Sequence, residues 1–251
     1  MIELSPTIFA LAAFAVVFAG VSKAGFGSGA AFASSTILAL ILEPGQALGL
    51  MLPLLMLIDL ASLRPYWRTW HWPEARLMLL GALPGVALGV LLYRLADADL
   101  MRLLIGAISI LFVLWQVGRG RGWIRMAGRG LPGWAGALAG AITGFTSFVS
   151  HAGGPPAAVY LLSRRLSKGQ YQGTTVLIFW VINIMKFIPY AVLGMFTLET
   201  AVADLALAPF ALFGTWLGVR AHRVVSERVF FGLTYVLLLI TGSKLIWDGL
   251  S

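Results

Sequence analysis

Two lysines pose the first chemical question about this chain. Lys23 stands in "GVSKAGFGSG" and Lys186 in "WVINIMKFIPYAVLG", each surrounded by apolar residues. Inside hydrocarbon an unpaired ammonium costs several kcal/mol, so each side chain calls for a carboxylate or an anion beside it. The third apolar run supplies Asp59, in "LLMLIDLASLRPYWR". Set against Lys23, Lys186 and His151, that one acid leaves the interior positive, which favours an anionic ligand over a metal ion. Asn183 lies three residues before Lys186, so on a helix the two polar ends share a face. Asp59 has two open roles: a coupling role as proton carrier, or a static counter-ion of Lys23 or Lys186.

Glycines accompany the first lysine. Gly25, Gly27 and Gly29, with Ser28 among them, let the backbone turn and approach a ligand closely. The segment "TGFTSFVSHAGGPP" repeats the arrangement with Ser150, His151, Gly153 and Gly154, followed by Pro155 and Pro156, which suit the start of a helix. Free N–H groups at the start of the helix after each motif would then face one another as a dry cradle for an anion. The expected binding set is Lys23, Gly25, Gly27, Ser28, Gly29, Ser150, His151, Gly153, Gly154, Asn183 and Lys186, with Asp59 for coupling. No catalytic residue, metal or cofactor is implied. Plainer readings stand beside these: Lys23 snorkels to an interface, the glycines pack helices, and His151 is a satisfied interior histidine. Thr143, Thr146, Ser147, Thr174 and Thr175 are expected to bond backbone within a helical bundle.

The elements that position these residues must be membrane helices. Of 251 residues 59% are hydrophobic and 11% charged, and the mean hydropathy is +0.90, far above a soluble domain. The opening "MIELSP" lacks the basic region of a signal peptide. There is no cysteine, hence no disulfide or thiolate site. Apolar segments run at roughly 7–22, 30–42, 46–63, 77–93 and 100–117, then 131–150, 154–163, 172–190, 199–218 and 229–247. The second and seventh have about 13 and 10 residues, too few to cross a ~30 Å core, so each half begins with a Gly-broken, re-entrant-like hairpin or two tilted crossings.

"GVALGVLLYRLADADLMRLL" from Gly85 resembles "GTWLGVRAHRVVSERVFFGL" from Gly214, which suggests a duplication: 1–118 as the first transmembrane repeat, 119–130 as a basic connection and 131–251 as the second. The net charge of +8 records orientation. Arg64, Arg68 and Arg76; Arg119, Arg121, Arg125 and Arg129; Arg164, Arg165 and Lys168; and Arg220, Arg223 and Arg228 all fall on one side when six segments cross and each hairpin returns. That side is expected to be cytoplasmic, with both termini opposite. The third and eighth segments then run in opposite directions, so the repeats are inverted, an arrangement typical of transporters with midplane sites. Tyr66, Trp67, Trp70, Trp72, Trp123 and Trp247 read as an interfacial belt.

Together, "GVSKAGFGSG", the aspartate of "LLMLIDLASLRPYWR", "TGFTSFVSHAGGPP" and the "NIMK" of "WVINIMKFIPYAVLG" resemble the sulfite exporter TauE/SafE family of membrane permeases over nearly the whole chain. The resemblance implies export of a small sulfur-containing anion, sulfite or an organosulfonate such as sulfoacetate, across the bacterial inner membrane. Ser28 and Ala30 interrupt the glycine run of the family's first motif, a departure that bears on substrate identity. The rival readings are a transporter of a metal cation or another small anion, and a non-transporting assembly or sensor subunit. No P-loop, HExxH or GxSxG element occurs, and His71, His151 and His222 lie far apart in sequence, so no enzyme and no nucleic-acid partner is expected. Small-xxx-small patches at Gly85/Gly89 and Gly214/Gly218 pack helices within one chain or between two, which leaves a homodimer open.

Overall fold

The computed structural model describes residues 5–26, 30–123, 130–221 and 226–251, and no strand occurs among them. Helix α1 (Pro6–Val21) runs into a π-helical turn (Ser22–Phe26), followed by the short α2 (Ala33–Leu38), then α3 (Pro44–Leu63), α4 (Trp72–Leu95) and α5 (Ala98–Gly120). The second half comprises α6 (Gly133–Ser150), α7 (Gly154–Ser163), α8 (Lys168–Val192), α9 (Leu198–Ala221) and α10 (Glu227–Leu250). Seven helices among the described residues are long and apolar enough to cross a membrane. This is an all-helical, multi-pass membrane protein. The helix α6 is not one of the seven; it has 18 residues, but Gly, Ser and Thr dilute its hydropathy.

All ten expected segments have a helix, and the second of each half is short, with 6 and 10 helical residues. Several helices begin earlier than hydropathy indicates, because their caps are polar. Ser167 and Gln170 form a reciprocal capping box ahead of α8, and Pro44 and Pro73 occupy the first turns of α3 and α4. Ser5, Asp97 and Ser226 cap α1, α5 and α10 with their side chains.

Packing between the halves is exchanged. α1 lies along α9 and α6 along α4, while α3 meets α8 and α5 meets α10. Close approach at the first two interfaces is set by small residues. A Cβ on Gly20 would run into the backbone of Gly214 and Thr215, and one on Gly214 or Gly218 into Val17 or Val21. At the α4–α6 interface Gly81 and Gly85 close on Ala137 and Ala141, and Gly140 and Gly144 on Met78 and Ala82, so these patches hold helices within one chain. Trp67, Trp72, Trp123 and Trp247 are exposed near helix ends, as membrane-interface tryptophans are.

Candidate functional site

The polar interior forms two nodes. In the first, the π-helical turn that ends α1 carries Lys23, only 6% exposed, against Asp59 of α3, with Nζ 2.5 Å from Oδ1. Asn183 Nδ2 of α8 donates to the other carboxylate oxygen at 2.7 Å. Both oxygens of Asp59 are thereby engaged, one by its own half of the chain and one by the other. The Lys23 ammonium also faces the ring of Phe179 at 5.9 Å.

In the second node Lys186 of α8 is fully buried. Its ammonium donates to the carbonyl and the hydroxyl of Ser147, each at 3.0 Å, and meets His151 Nδ1 at 2.8 Å. His151 terminates α6 in the left-handed conformation (φ 56°), one that histidine visits more readily than most residues. Its Nε2 lies 3.2 Å from the carbonyl of Leu48 on α3. One tautomer satisfies both contacts: Nδ1 accepts from Lys186 and Nε2–H donates to Leu48. Tyr190, one turn beyond Lys186, donates to the Phe148 carbonyl at 2.6 Å and lays its ring 5.8 Å from the ammonium. Three acceptors and one ring therefore surround Lys186, with no carboxylate in direct contact among the described residues.

The expected sharing of one helix face by Asn183 and Lys186 resolves into one residue for each node. Ala152 belongs to the same apolar cluster as Ala30, Phe32 and Ala33, and Gly153 packs on Phe179, the ring that faces Lys23. Other members of the expected set have structural duties. Gly25 lies against the backbone of Gly218 on α9, and the Ser150 hydroxyl donates to the Thr146 carbonyl one turn back. Gly153 and Gly154 are buried at the start of α7. Gly27, Ser28 and Gly29 lie outside the described residues.

Of the five hydroxyl residues expected to bond backbone, Thr146 and Thr175 bond carbonyls one turn back. Thr174 also bonds backbone, accepting the main-chain N–H of His71 at 2.8 Å, whereas Ser147 receives Lys186. The Thr143 hydroxyl has no partner among the described residues, although the residue is completely buried against Gly153. Ser34 and Ser35 on α2, and Ser62 one turn beyond Asp59, are likewise buried without a partner among the described residues. Buried hydroxyls rarely stay unpaired, and these four lie on α2, α3 and α6.

Two carboxylates escaped the reading of the sequence. Glu74, buried in the first turn of α4, accepts from the Tyr160 hydroxyl of α7 and from Arg164 Nε at 2.8 Å, and Arg164 also holds the Leu131 carbonyl. This latch fastens the short helix to α4. Arg164 reads in sequence only as a charge that sets orientation. Asp204, inside α9, has a buried Oδ1 with no hydrogen-bond partner among the described residues.

No curated relative and no solved structure matches the chain. A family model does: the model described as sulfite exporter TauE/SafE matches residues 12–245. With that match over nearly the whole chain, and seven helices able to cross a membrane, the protein belongs to the TauE/SafE sulfite exporter family, whose members are membrane transporters and not enzymes.

Proposed function

We propose that the chain is a secondary transporter that exports sulfite or an organosulfonate such as sulfoacetate across the bacterial inner membrane. The observation that carries this reading is the charge of the interior. Lys23 and Lys186 are both buried, and Asp59 pairs with Lys23, so Lys186 has no carboxylate of its own among the described residues. A buried cation lacking a counter-ion is seldom retained in a membrane protein without function, and its natural ligand is an anion. On binding, sulfonate oxygens take over the ammonium from His151 Nδ1 and Ser147. The partnerless hydroxyls of Ser34, Ser35 and Thr143 are donors suited to the remaining oxygens.

Alternating access would come from two inverted repeats, 1–118 and 131–251, joined by the basic connection 119–130 on the cytoplasmic side. The exchanged packing of α1 on α9 and α6 on α4 supports this reading, since a two-fold relation pairs each half's first helix with the other half's fourth. With the Gly85/Gly89 and Gly214/Gly218 patches closed inside the chain, a homodimer would need another surface.

The deciding experiment loads liposomes containing the purified protein with sulfite, sulfoacetate, taurine, sulfate or chloride and follows exchange. Sulfite or sulfoacetate exchange that Lys186→Met abolishes is the expected result. Equal transport of every anion by wild type and Lys186→Met would overturn the reading. Orientation is tested by cysteines placed at Gly122 and Ser251 in this cysteine-free chain, with labelling by an impermeant reagent expected at Ser251 alone in intact cells.

A further inference from the structure

We propose that Asp204 is the proton-binding site that couples transport to a pH gradient, a role that rests on the transport reading above. Asp204 is the seventh residue of α9, so it lies about 9 Å inside the helix start at 1.5 Å per residue. Its neighbours on the helix, Thr200, Ala203 and Leu207, are buried. Ala203 and Leu207 pack into the apolar cluster that α1 and α3 share with α9. The carboxyl thus stands at the edge of a packed interface with Oδ1 inside it.

Among the described residues its surroundings supply no charge to hold it. α1 has no ionisable residue. On the π-helical turn Lys23 is bound to Asp59, and on α3 Asp59 is bound to Lys23 and Asn183. Glu43, ahead of α3, is bound to Arg102 of α5. On α9 itself the other ionisable residues are Glu199, near the helix start, and Arg220, at the far end against Trp216. Asp204 makes no ion pair with any of these. An apolar interface tolerates a neutral carboxyl far better than an unpaired carboxylate, so a proton satisfies Asp204 without moving another side chain.

Comparison with Glu74 sharpens the assignment. The register that lays Gly85 on Gly214, Gly89 on Gly218 and the cap Asp97 on the cap Ser226 brings Glu74 to within one residue of Asp204. On α4 that carboxylate is held by Tyr160 and Arg164, and on α9 its counterpart is held by nothing described. Asp59, the carboxylate that sequence alone suggests for coupling, has both oxygens engaged. Of these three intramembrane acids, Asp204 is the one whose oxygen is open to gain and lose a proton without breaking a contact.

The test compares wild type, Asp204→Asn and Asp204→Glu in liposomes, with melting temperature as the folding control. Asp204→Asn is expected to exchange sulfite or sulfoacetate at the wild-type rate under equal pH, yet to lose accumulation driven by a pH gradient by tenfold or more. Asp204→Glu is expected to restore it. A readout independent of substrate is the infrared carboxyl absorption that grows on acidification of the detergent-solubilised protein, in which the wild-type minus Asp204→Asn difference is expected to show one component belonging to Asp204. Accumulation that survives in Asp204→Asn, a wild-type minus Asp204→Asn infrared difference with no carboxyl component, or accumulation that follows a sodium gradient instead of pH would each overturn the assignment. If the wild type exchanges none of the anions, the transport reading fails, while the infrared band still reports whether Asp204 takes up a proton.

Discussion

Residues 21–25 read VSKAG and residues 149–153 read VSHAG, and each pentapeptide lies where the first long helix of its half gives way to the short one. A single difference, lysine against histidine, goes with two different kinds of polar node. In the first half the cation is on the hairpin and the carboxylate on the third helix, so the node is ionic and neutral in sum. In the second half the hairpin carries a histidine and the third helix a lysine, so the node is held by neutral acceptors and retains its charge. One hydrogen bond also joins each node to the opposite half: Asp59 accepts from Asn183, and His151 meets the Leu48 carbonyl. The lesson is one of division: the balanced node has its charges cancelled, and the charged node keeps the positive charge that the transport proposal assigns to the anion.

The largest effect should come from breaking the balanced node. Asp59→Asn strands the Lys23 ammonium in the interior, and breaking a buried pair in this way costs about 3–5 kcal/mol. A strongly lowered melting temperature in detergent is expected, recovered when Lys23→Met is added. If Asp59→Asn melts with the wild type, the pair is not what holds the first hairpin to α3.

The charged node should respond in the opposite sense. Lys186→Met strands no carboxylate, so the stability loss is smaller, about 1–3 kcal/mol for the acceptors left unpaired on Ser147 and His151. Anion affinity, by contrast, should fall at least tenfold, in line with a charge-assisted bond worth roughly 1.5–3 kcal/mol. Calorimetric titration with sulfite or sulfoacetate separates the two effects. Lys23→Met ought to show the reverse, a large loss of stability for a modest change in affinity, and identical profiles for the two lysine variants would erase the distinction between the nodes.

Much of this architecture is legible in the sequence, because the bilayer imposes one rule on every crossing element: about 20 apolar residues per helix. Hydropathy therefore locates ten segments and shows the second and seventh to be short. Lys23, Asp59, Asn183, Lys186 and His151 are conspicuous for the same reason, as polar groups in apolar runs. Partners are another matter, since they depend on which helix faces which. Nothing local says that Asn183 turns to Asp59 while Lys186, on the same helix face, turns to Ser147 and His151. Glu74 and Arg164 sit among loop charges and read as topology until α7 is docked on α4. Asp204 was within reach of the sequence, being an acid inside the ninth apolar segment, and the rule that singled out Asp59 applies to it equally.

The smallest effect concerns the glycines of the two pentapeptides. Gly25 and Gly153 hold matching places, but what lies above them differs. A Cβ on Gly25 would come 2.5 Å from the carbonyl oxygen of Gly218, with the carbon of the same group 3.1 Å away, and helix backbone cannot retreat without separating α9 from the first hairpin. A Cβ on Gly153 would meet the edge of the Phe179 ring at 2.8 Å, with the Thr143 side chain and carbonyl each at 3.0 Å. The ring can rotate and most of the remaining overlap is a few tenths of an ångström. Neither glycine has a positive φ, so packing alone sets the outcome. Overpacking of this kind costs roughly 1–3 kcal/mol, and Gly25→Ala should lie at the upper end with Gly153→Ala at or below the lower. Melting curves of the two variants in the same detergent give the comparison directly. A greater loss from Gly153→Ala would mean that the second hairpin is the fixed one, and that the movable element is the hairpin bearing Lys23.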